Sequence, residues 1–376
     1  MRNIITLTVT IILLVCTVFS WYFLLPLYLK SLGASDKAIS VLYFLFNLAF
    51  YIGQIPGGIL TDKIGRKPIV VGTTLLYALA GYGMAFSSSW LSVSIFYMVS
   101  LLSSSIQMPA ILALVFESQE KKGTSFGMTS FSFNLGTAIG PFIGAMLLGK
   151  VGIKGLFLIY SITALLMGIA RWIFLKETLK GKPELDSLKD LKIDKTRLMT
   201  IIGGTLFFMC LSLTLNGPYI SLFQKENLGL SETEINIIFS KAGIISAIGV
   251  LIFGKIADRI DPAKSWAVSS LLHPLLLLGW ALLKGYLPLL FISILLAEIC
   301  YVVYPIFVST IFSESSRGRG LGVFGFITGS IGSLSPLLVN ALSRITGFFT
   351  PFLLALGFGV GAFGVIIKVG GEKHGR

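Results

Sequence analysis

Glu298 and Lys241 are ionisable residues set deep in long apolar stretches of this sequence. At a helical rise of about 1.5 Å per residue, they would lie about 16 Å and about 12 Å from the outer ends of their helices. A charge buried alone at such depth costs at least about 2.5 kcal/mol, so residues of this kind are functional by default. We hypothesise that Glu298 carries a proton, while Lys241 adjusts the pKa of Glu298 or binds an anionic group. The alternative is a static ion pair that holds the two helices together.

Polar side chains elsewhere could complete such a site. Tyr301 follows Glu298 by about one helical turn, and Pro305 and Ser309 continue the same face, which suits a polar path. A single Asn or Thr in an apolar helix is more often a packing contact than a ligand contact. Facing one cavity together, such residues would bind a small, partly apolar solute. The candidates are Trp21, Thr17, Asn47, Gln107, Ser130, Asn134 and Asn216.

The composition is that of a chain with many membrane spans. Of its 376 residues, 55% are hydrophobic and only 12% are charged. That charged fraction is about half the value for a soluble domain. The net charge of +13 does not predict nucleic-acid binding, because the basic residues lie in short loops between apolar stretches.

The sequence lacks the motifs of several kinds of site and protein. The three cysteines are scattered through apolar stretches and the two histidines lie far apart, so we expect no disulfide framework, no metal site and no cofactor. There is no GxxxxGK[ST], HExxH or GxSxG sequence, so we expect neither an ATP-driven pump nor an enzyme.

Twelve apolar runs are long enough to cross a bilayer core of about 30 Å as helices. They are 5–29, 38–60, 68–87, 91–116, 124–149, 153–175, 199–223, 233–256, 264–283, 287–312, 319–342 and 347–369. An even number puts both termini on one side, and the Lys and Arg bias of the loops puts that side in the cytoplasm. We therefore expect a multi-pass protein of the cytoplasmic membrane with both termini inside the cell.

The one long polar stretch, 176–197, separates two groups of six runs. Its alternating acids and bases are typical of a solvated helix on the membrane surface. The predicted organisation is an N-terminal six-helix bundle at 1–175, a cytoplasmic linker at 176–197 and a C-terminal six-helix bundle at 198–376.

The two halves align at an offset of about 196 residues. Leu32-Gly33-Ala34-Ser35 matches Leu228-Gly229-Leu230-Ser231, and each stands just before an even-numbered run. Ser231 and Glu234 have the spacing of a capping box. Further matches at this offset pair Gly58 with Gly254, Asp62 with Asp258, Glu117 with Glu314 and Pro141 with Pro336. They indicate an internal duplication, and parallel halves of this kind place a substrate site near the membrane midplane.

A polar turn between the second and third runs carries the most specific motif. The pattern Gly58-x-Leu60-x-Asp62-Lys63-x-Gly65-Arg66-Lys67 resembles the loop motif of the major facilitator superfamily, and the resemblance covers nearly the whole chain. It implies an all-α membrane protein of twelve transmembrane helices in two pseudo-symmetric six-helix bundles. It also implies that this loop clasps the bundles on the cytoplasmic side and sets the balance between inward-facing and outward-facing states.

The motif residues have separate physical roles. Gly58 would let a neighbouring helix approach closely, and Gly65 would permit the turn. Asp62 can face a helix N-terminus or a base. Arg66 and Lys67 can anchor at the inner leaflet.

The resemblance implies ion pairs as well. Glu117 at the end of span four would be the partner of Arg66. Arg259 and Glu314 would form the mirror pair in the second half, beside Asp258. The alternative is that these charges only fix the topology.

Spans four and five modify this interpretation. In span five, Gly136-x-x-x-Gly140-Pro141-x-x-Gly144 resembles a glycine-proline motif of antiporter branches, although small residues at this spacing are also common on plain helix-packing faces.

Span four has serine at 103–105, where proton-coupled drug exporters of the family usually carry an arginine, and span one has no acid. Both departures weaken a standard proton-antiport mechanism and a cationic-drug substrate.

The function predicted from these features is secondary active transport by alternating access, with proton-coupled export of an amphipathic drug or metabolite. One alternative is a facilitator or importer of a sugar or organic anion, with Lys241 as the anion anchor. Another is a non-transporting membrane sensor or assembly protein. The expected partners are a small-molecule substrate, protons and the lipid bilayer. We expect no nucleic acid and a monomer.

Overall fold

The computed structural model describes residues 2–117, 122–179, 194–256, 260–311 and 317–374. Every regular element in these ranges is helical, as predicted. The helices are α1 (Arg2–Tyr22), α2 (Leu25–Ser31), α3 (Asp36–Ile52), α4 (Gln54–Ile64), α5 (Arg66–Phe86), α6 (Trp90–Glu117), α7 (Lys122–Phe174), α8 (Lys195–Leu213), α9 (Tyr219–Glu226), α10 (Glu232–Ile256), α11 (Pro262–Leu282), α12 (Leu287–Ser309), α13 (Arg317–Gly332), α14 (Ser335–Thr346) and α15 (Thr350–His374). The 3-10 turn Gly347–Phe349 joins α14 and α15.

Nine stretches of the described residues are long and apolar enough to cross a membrane. Two of them, Phe131–Phe174 and Gly322–Gly371, have 44 and 50 residues, about twice what one crossing needs. The first is divided at Gly152, where φ of 66° and ψ of 177° interrupt α7. α10 is the remaining predicted span, and its sequence carries four charged residues, two of them in the first turn. The helices thus follow the twelve predicted runs.

Several of these spans are broken helices. Span one breaks between α1 and α2, span two at Gly53 and span seven between α8 and α9. A proline stands at or near the start of the second half in all three cases: Pro26 in α2, Pro56 in the first turn of α4 and Pro218 before α9. Proline is tolerated there because the first turn of a helix leaves its N–H groups without intrahelical partners.

The chain forms two compact units. Unit 1 comprises Met1–Ser35, Ala49–Glu184 and Leu230–Ile244, and unit 2 comprises Asp36–Leu48, Leu185–Gly229 and Ile245–Arg376. The first half of α10 therefore belongs to unit 1 and most of α3 to unit 2. The division at 1–175, 176–197 and 198–376 stays a prediction.

In unit 1, the helix-packing interpretation of the span-five glycines has direct geometric support. A Cβ added at Gly136 would lie 2.6 Å from the Cβ of Val15, and one at Gly140 would lie 2.7 Å from the carbonyl oxygen of Cys16. Any side chain at these positions would push α7 away from α1, because real Cβ atoms do not approach so closely. Pro141 is buried beside them.

Unit 2 is filled by aromatic rings. Trp266 is fully buried. The ring centroid of Phe207 lies 5.8 Å from that of Trp266, with an angle of 90° between the ring planes. The ring centroid of Tyr304 lies 6.1 Å from that of Trp266. Aromatic pairs at such distances and angles contribute beyond the area they bury.

The turns before spans two and eight support the internal repeat. Gly33 and Gly229 both adopt positive φ, 93° and 69°, a conformation that glycine adopts without steric cost. The predicted capping box at the start of α10 is confirmed. The N–H of Ser231 donates to Glu234 Oε2 at 2.8 Å, and the N–H of Glu234 donates to Ser231 Oγ at 3.3 Å.

Candidate functional site

Three of the predicted site residues, Asn47, Asn216 and Tyr301, form a connected polar chain in unit 2. Asn47 Nδ2 in α3 donates to the carbonyl oxygen of Asn216 at 3.4 Å, and Asn216 Nδ2 donates to Tyr301 Oη at 3.2 Å. Asn216 lies in the break between α8 and α9, where the helical hydrogen-bond ladder is interrupted. A broken span therefore presents both an amide side chain and a backbone carbonyl to its neighbours.

Glu298 lies three residues before Tyr301 on α12, which places the two side chains on one face. Its side chain is half-buried. Within the described part of unit 2 it forms no hydrogen bond and no ion pair. An intramembrane carboxyl is costly when it is charged and has no partner.

Lys241 lies in the part of α10 that belongs to unit 1. Its side chain is exposed and makes no hydrogen bond or ion pair with the described residues of that unit. Because Lys241 and Glu298 belong to different units, their pairing stays a prediction.

The candidates of unit 1 occupy different surroundings. Trp21 is fully buried, with T-shaped contacts to Tyr97 and Phe157 at 5.6 and 5.1 Å between ring centroids. The hydroxyl of Thr17 donates to a carbonyl of its own helix at 2.9 Å. Asn134 is half-buried, and the side chain of Ser130 lies outside the described residues.

Gln107 is buried inside unit 1. Its Nε2 donates to the Thr73 and Thr74 hydroxyls of α5 at 2.8 and 3.0 Å. Its Oε1 accepts from Arg171 Nη1 at 3.4 Å. These bonds join spans three, four and six.

Arg171 is the centre of this network, although no sequence motif marked it as a site residue. It is 1% exposed. Its Nε donates to Thr10 Oγ1 at 2.9 Å and its Nη1 to Thr74 Oγ1 at 2.6 Å. The acceptors within hydrogen-bond distance are thus neutral and lie on three other spans. A lone arginine in the last turn of an apolar span was the available sequence signal.

The turn between α4 and α5 brings together residues that the motif had paired. Arg66 is 7% exposed, and its Nη2 lies 3.0 Å from Glu117 Oε1. Its Nη1 lies 3.3 Å from Asp62 Oδ1 and also donates to the Thr61 carbonyl at 3.1 Å. One guanidinium therefore links the ends of spans two, three and four.

Glu177 joins this cluster from the start of the predicted linker, and the sequence analysis had not singled it out. Its carboxylate accepts the backbone N–H groups of Arg66 and Lys67, the first two residues of α5, at 3.1 and 3.0 Å. Two N–H groups of its own loop, at Thr178 and Leu179, add bonds of 2.8 and 2.9 Å. Partial burial would raise the pKa of Glu177, but these four donors lower it below the ordinary value of 4.5.

Gly65 makes this arrangement possible. Its φ of 116° lies in the region that favours glycine. A Cβ there would lie 2.6 Å from Glu177 Oε2. Glycine is thus required at position 65 for two reasons: it permits the expected turn, and it leaves room for the Glu177 carboxylate.

The close helix approach expected at Gly58 occurs one residue earlier. A Cβ at Gly58 would meet no atom within 4 Å, whereas one at Gly57 would lie 2.6 Å from the Ile106 carbonyl oxygen of α6. The expectation that Gly58 permits the close helix approach is therefore wrong. The rotation of α4 turns Gly57, not Gly58, toward span four. In the second half, Asp258, Arg259 and Glu314 lie outside the described residues.

His273 in span nine is held by hydrogen bonds inside unit 2. Nδ1 lies 2.9 Å from Ser293 Oγ, and Nε2 lies 2.9 Å from Thr214 Oγ1. The imidazole thus connects spans seven, nine and ten, in keeping with a structural role. Within the described ranges no group of three His, Cys, Asp or Glu residues could hold a metal ion.

The sequence matches the family model of the Major Facilitator Superfamily over residues 7–210 and over residues 202–374. The chain belongs to the Major Facilitator Superfamily. It is a transporter of that superfamily and a multi-span membrane protein. The predicted fold class, twelve helices in two pseudo-symmetric bundles, is confirmed.

Bacterial drug-resistance proteins are among the relatives of this superfamily member. It is 23% identical to quinolone resistance protein NorA of Staphylococcus aureus (strain MSSA476) over 93% of this chain and 91% of that protein. It is 25% identical to multidrug resistance protein 2 of Bacillus subtilis (strain 168) over 72% of this chain and 70% of that protein.

Solved structures of the superfamily share the fold of this chain. The nucleoside transporter NupG matches with a TM-score of 0.76 and 14% identity, covering 98% of this chain and 99% of that one. A D-xylose-proton symporter matches with a TM-score of 0.74 and 17% identity, covering 97% of each chain. At such identities the likeness concerns the fold and not the substrate.

Proposed function

We propose that this transporter exports a small amphipathic drug or metabolite in exchange for protons, and that Glu298 carries the proton. The observation that supports this most is the isolation of the Glu298 carboxyl. It lies half-buried in α12 and has no hydrogen-bond or ion-pair partner among the described residues of unit 2. Uptake of one proton removes its charge, so the same site is tolerated in two charge states.

The polar chain next to Glu298 supports a substrate site at the same level. Tyr301 follows Glu298 on one helix face and connects through Asn216 to Asn47. Three spans therefore contribute polar atoms there, while aromatic rings such as that of Phe207 lie nearby, 6.4 Å from the Tyr301 ring. Mixed polar and aromatic walls suit an amphipathic solute.

The named relatives support export of drugs in particular. Two drug-resistance proteins from different bacteria align with most of this chain at 23 and 25% identity. Substrate choice can change within a fold, so the drug class stays part of this proposal.

The cluster at the α4–α5 turn is proposed to act in conformational gating. Arg66, Glu117 and Glu177 connect the ends of four helices through charge-assisted hydrogen bonds. Such bonds stabilise one arrangement of these ends, and the transport cycle would break them. The proposed gating set is Gly58, Asp62, Gly65, Arg66, Lys67, Glu117, Gly140, Pro141, Asp258, Arg259 and Glu314.

We further propose that the protein acts as a monomer in the cytoplasmic membrane with both termini inside the cell. The Lys and Arg bias of the loops supports this orientation. Reporter fusions at each terminus, active only in the cytoplasm, would test it.

The second candidate is import or facilitated passage of an organic anion. It is supported by Lys241, whose exposed ammonium has no ion-pair partner among the described residues of unit 1. In that case an anionic substrate would supply the missing charge.

Reconstitution into liposomes with a trapped pH dye tests the main proposal. With an imposed pH gradient, an amphipathic drug should trigger proton movement in the wild type, and Glu298→Gln should reduce it to the level of empty liposomes. Glu226→Gln is the matched control, since it removes an exposed carboxylate at the end of α9, and it should behave as wild type.

Two outcomes would contradict the proposal. Proton movement equal in wild type and Glu298→Gln would remove Glu298 as the carrier. Uptake of an organic anion without proton movement, lost in Lys241→Gln, would establish the second candidate instead.

A further inference from the structure

A groove in unit 1 lies between α1 and the last turns of α7. Its volume is about 550 Å³. The lining residues are Arg2, Ile5, Thr6, Val9, Thr10, Met167, Ala170 and Phe174. The hydroxyls of Thr6 and Thr10 donate to carbonyls of their own helix at 3.0 and 2.8 Å. They need no partner in the groove, so its walls are effectively apolar.

The apolar surface around the groove is left uncovered by the protein. Ile5 is 52% exposed and Phe174 is 51% exposed. In a multi-span membrane protein, an apolar surface of this kind is covered by lipid chains. Trp172, which is 63% exposed beside Phe174, is a residue type that prefers the level of the lipid headgroups. The groove therefore starts near that level and extends along the hydrocarbon.

One end of the groove is basic. Arg2 Nε donates to the Phe174 carbonyl at 2.6 Å, which holds the guanidinium at the mouth. The amide of Asn3 exchanges two hydrogen bonds with the backbone of Lys176, at 3.1 and 2.8 Å. Lys176 is thereby kept at the same end, and both basic side chains are exposed. The described lining residues include no acid.

We propose that this groove binds an anionic phospholipid of the bilayer. One acyl chain lies along Ile5, Val9 and Ala170, and the headgroup phosphate contacts Arg2 and Lys176. The apolar walls require an acyl chain, and the two cations favour a headgroup with net negative charge over a zwitterionic one.

The bound lipid would also brace the interior of unit 1. Thr10 lines the groove and accepts a hydrogen bond from Arg171 at 2.9 Å. A chain that fills the groove holds α1 against α7 and so supports the Arg171 network. Binding to the folded state alone raises its stability by mass action.

Native mass spectrometry of the detergent-purified full chain tests this with dioleoyl-phosphatidylglycerol and dioleoyl-phosphatidylcholine. A basic residue near an anionic lipid surface changes affinity by about fivefold. We therefore expect the first phosphatidylglycerol to bind the wild type about 25-fold more tightly than phosphatidylcholine. The double variant Arg2→Gln/Lys176→Gln should lose that preference.

A second variant, Ala170→Phe, keeps both charges and fills the groove. It should weaken binding of the first lipid of either kind. The matched control is Lys150→Gln/Lys154→Gln, which removes two exposed charges at the α7 kink near Gly152 and should keep the preference.

Equal affinity of the wild type for the two lipids would overturn the headgroup assignment. Unchanged binding in Ala170→Phe would overturn the groove as the location. If Lys150→Gln/Lys154→Gln also lost the preference for phosphatidylglycerol, the preference would come from the total charge of the protein rather than from this site. The two test variants change different residues, so failure of one to fold leaves the other decisive.

Discussion

Arg171 and Glu177 in unit 1 and Glu298 in unit 2 have opposite kinds of surroundings. In unit 1, Arg171 donates to three neutral acceptors on three other spans, and Glu177 accepts four backbone N–H groups. In unit 2, Glu298 has no such partner among the described residues. Arg171 and Glu177 are thus held by several hydrogen bonds, whereas the described part of unit 2 offers Glu298 no hydrogen bond or ion pair.

The difference follows from what each group can do with its charge. A guanidinium stays protonated in proteins, so a buried arginine needs acceptors in every state of the molecule. A carboxyl can lose its charge by taking up a proton, so it tolerates an unpartnered position. The bonded networks around Arg171 and Glu177 are thus suited to structural support, and the carboxyl of Glu298 is compatible with the proposed proton exchange.

The largest expected effect comes from removing one acceptor of Arg171. Thr74→Val is nearly isosteric, and it deprives both Arg171 Nη1 and Gln107 Nε2 of a partner. A buried charged donor without its acceptor costs about 3 kcal/mol. We expect a free energy of unfolding lower by that amount, visible as a lower apparent melting temperature in detergent.

The matched control for that change is Thr200→Val. Thr200 is buried, and its hydroxyl bonds to a carbonyl of its own helix at 2.8 Å. It should shift the free energy by less than about 1 kcal/mol. Glu298→Gln should also leave stability nearly unchanged, since it removes no hydrogen bond or ion pair to a described residue of unit 2. Equal destabilisation by Thr74→Val and Glu298→Gln would contradict the difference between the surroundings of Arg171 and of Glu298.

The next largest effect is expected from Gly65→Ala. The substitution places a Cβ at φ of 116° and 2.6 Å from Glu177 Oε2, which we expect to cost about 2 kcal/mol. Gly72→Ala is the control, because Gly72 lies inside α5 with no atom within 4 Å of an added Cβ. Thermal unfolding should show that change as neutral or stabilising by up to about 1 kcal/mol. A neutral Gly65→Ala would show that Glu177 is not held as tightly as the bonds imply.

The smallest effect is a pH dependence carried by Glu177. Its folded pKa is lowered from 4.5, so its contribution is present above pH 4.5 and is lost as the pH falls through the folded pKa. The side chain is largely exposed, so we expect the contribution to be below about 1 kcal/mol. Unfolding of wild type and Glu177→Gln, followed from pH 7 to pH 3, should converge at the acid end. Parallel curves over this range would argue against the carboxylate bonds.

Hydropathy and turn chemistry alone predicted much of this molecule. The twelve runs, the turn at Gly65 and the capping box of Ser231 and Glu234 depend on residues close in sequence, and local patterns carry that information. Glu298 could be singled out for the same reason, because a lone acid in an apolar run is visible without a fold.

The partners of those residues depended on the tertiary structure. Helix rotation decided that Gly57 rather than Gly58 meets α6, and that Gln107 binds inside unit 1. Residues more than 100 positions away in the sequence supply two of these partners. Glu177 provides the carboxylate that caps α5, and Thr10 provides the hydroxyl that accepts a hydrogen bond from Arg171. One apolar helix offers several faces of similar composition, so its sequence determines that it spans the membrane, and only packing determines which side chains meet.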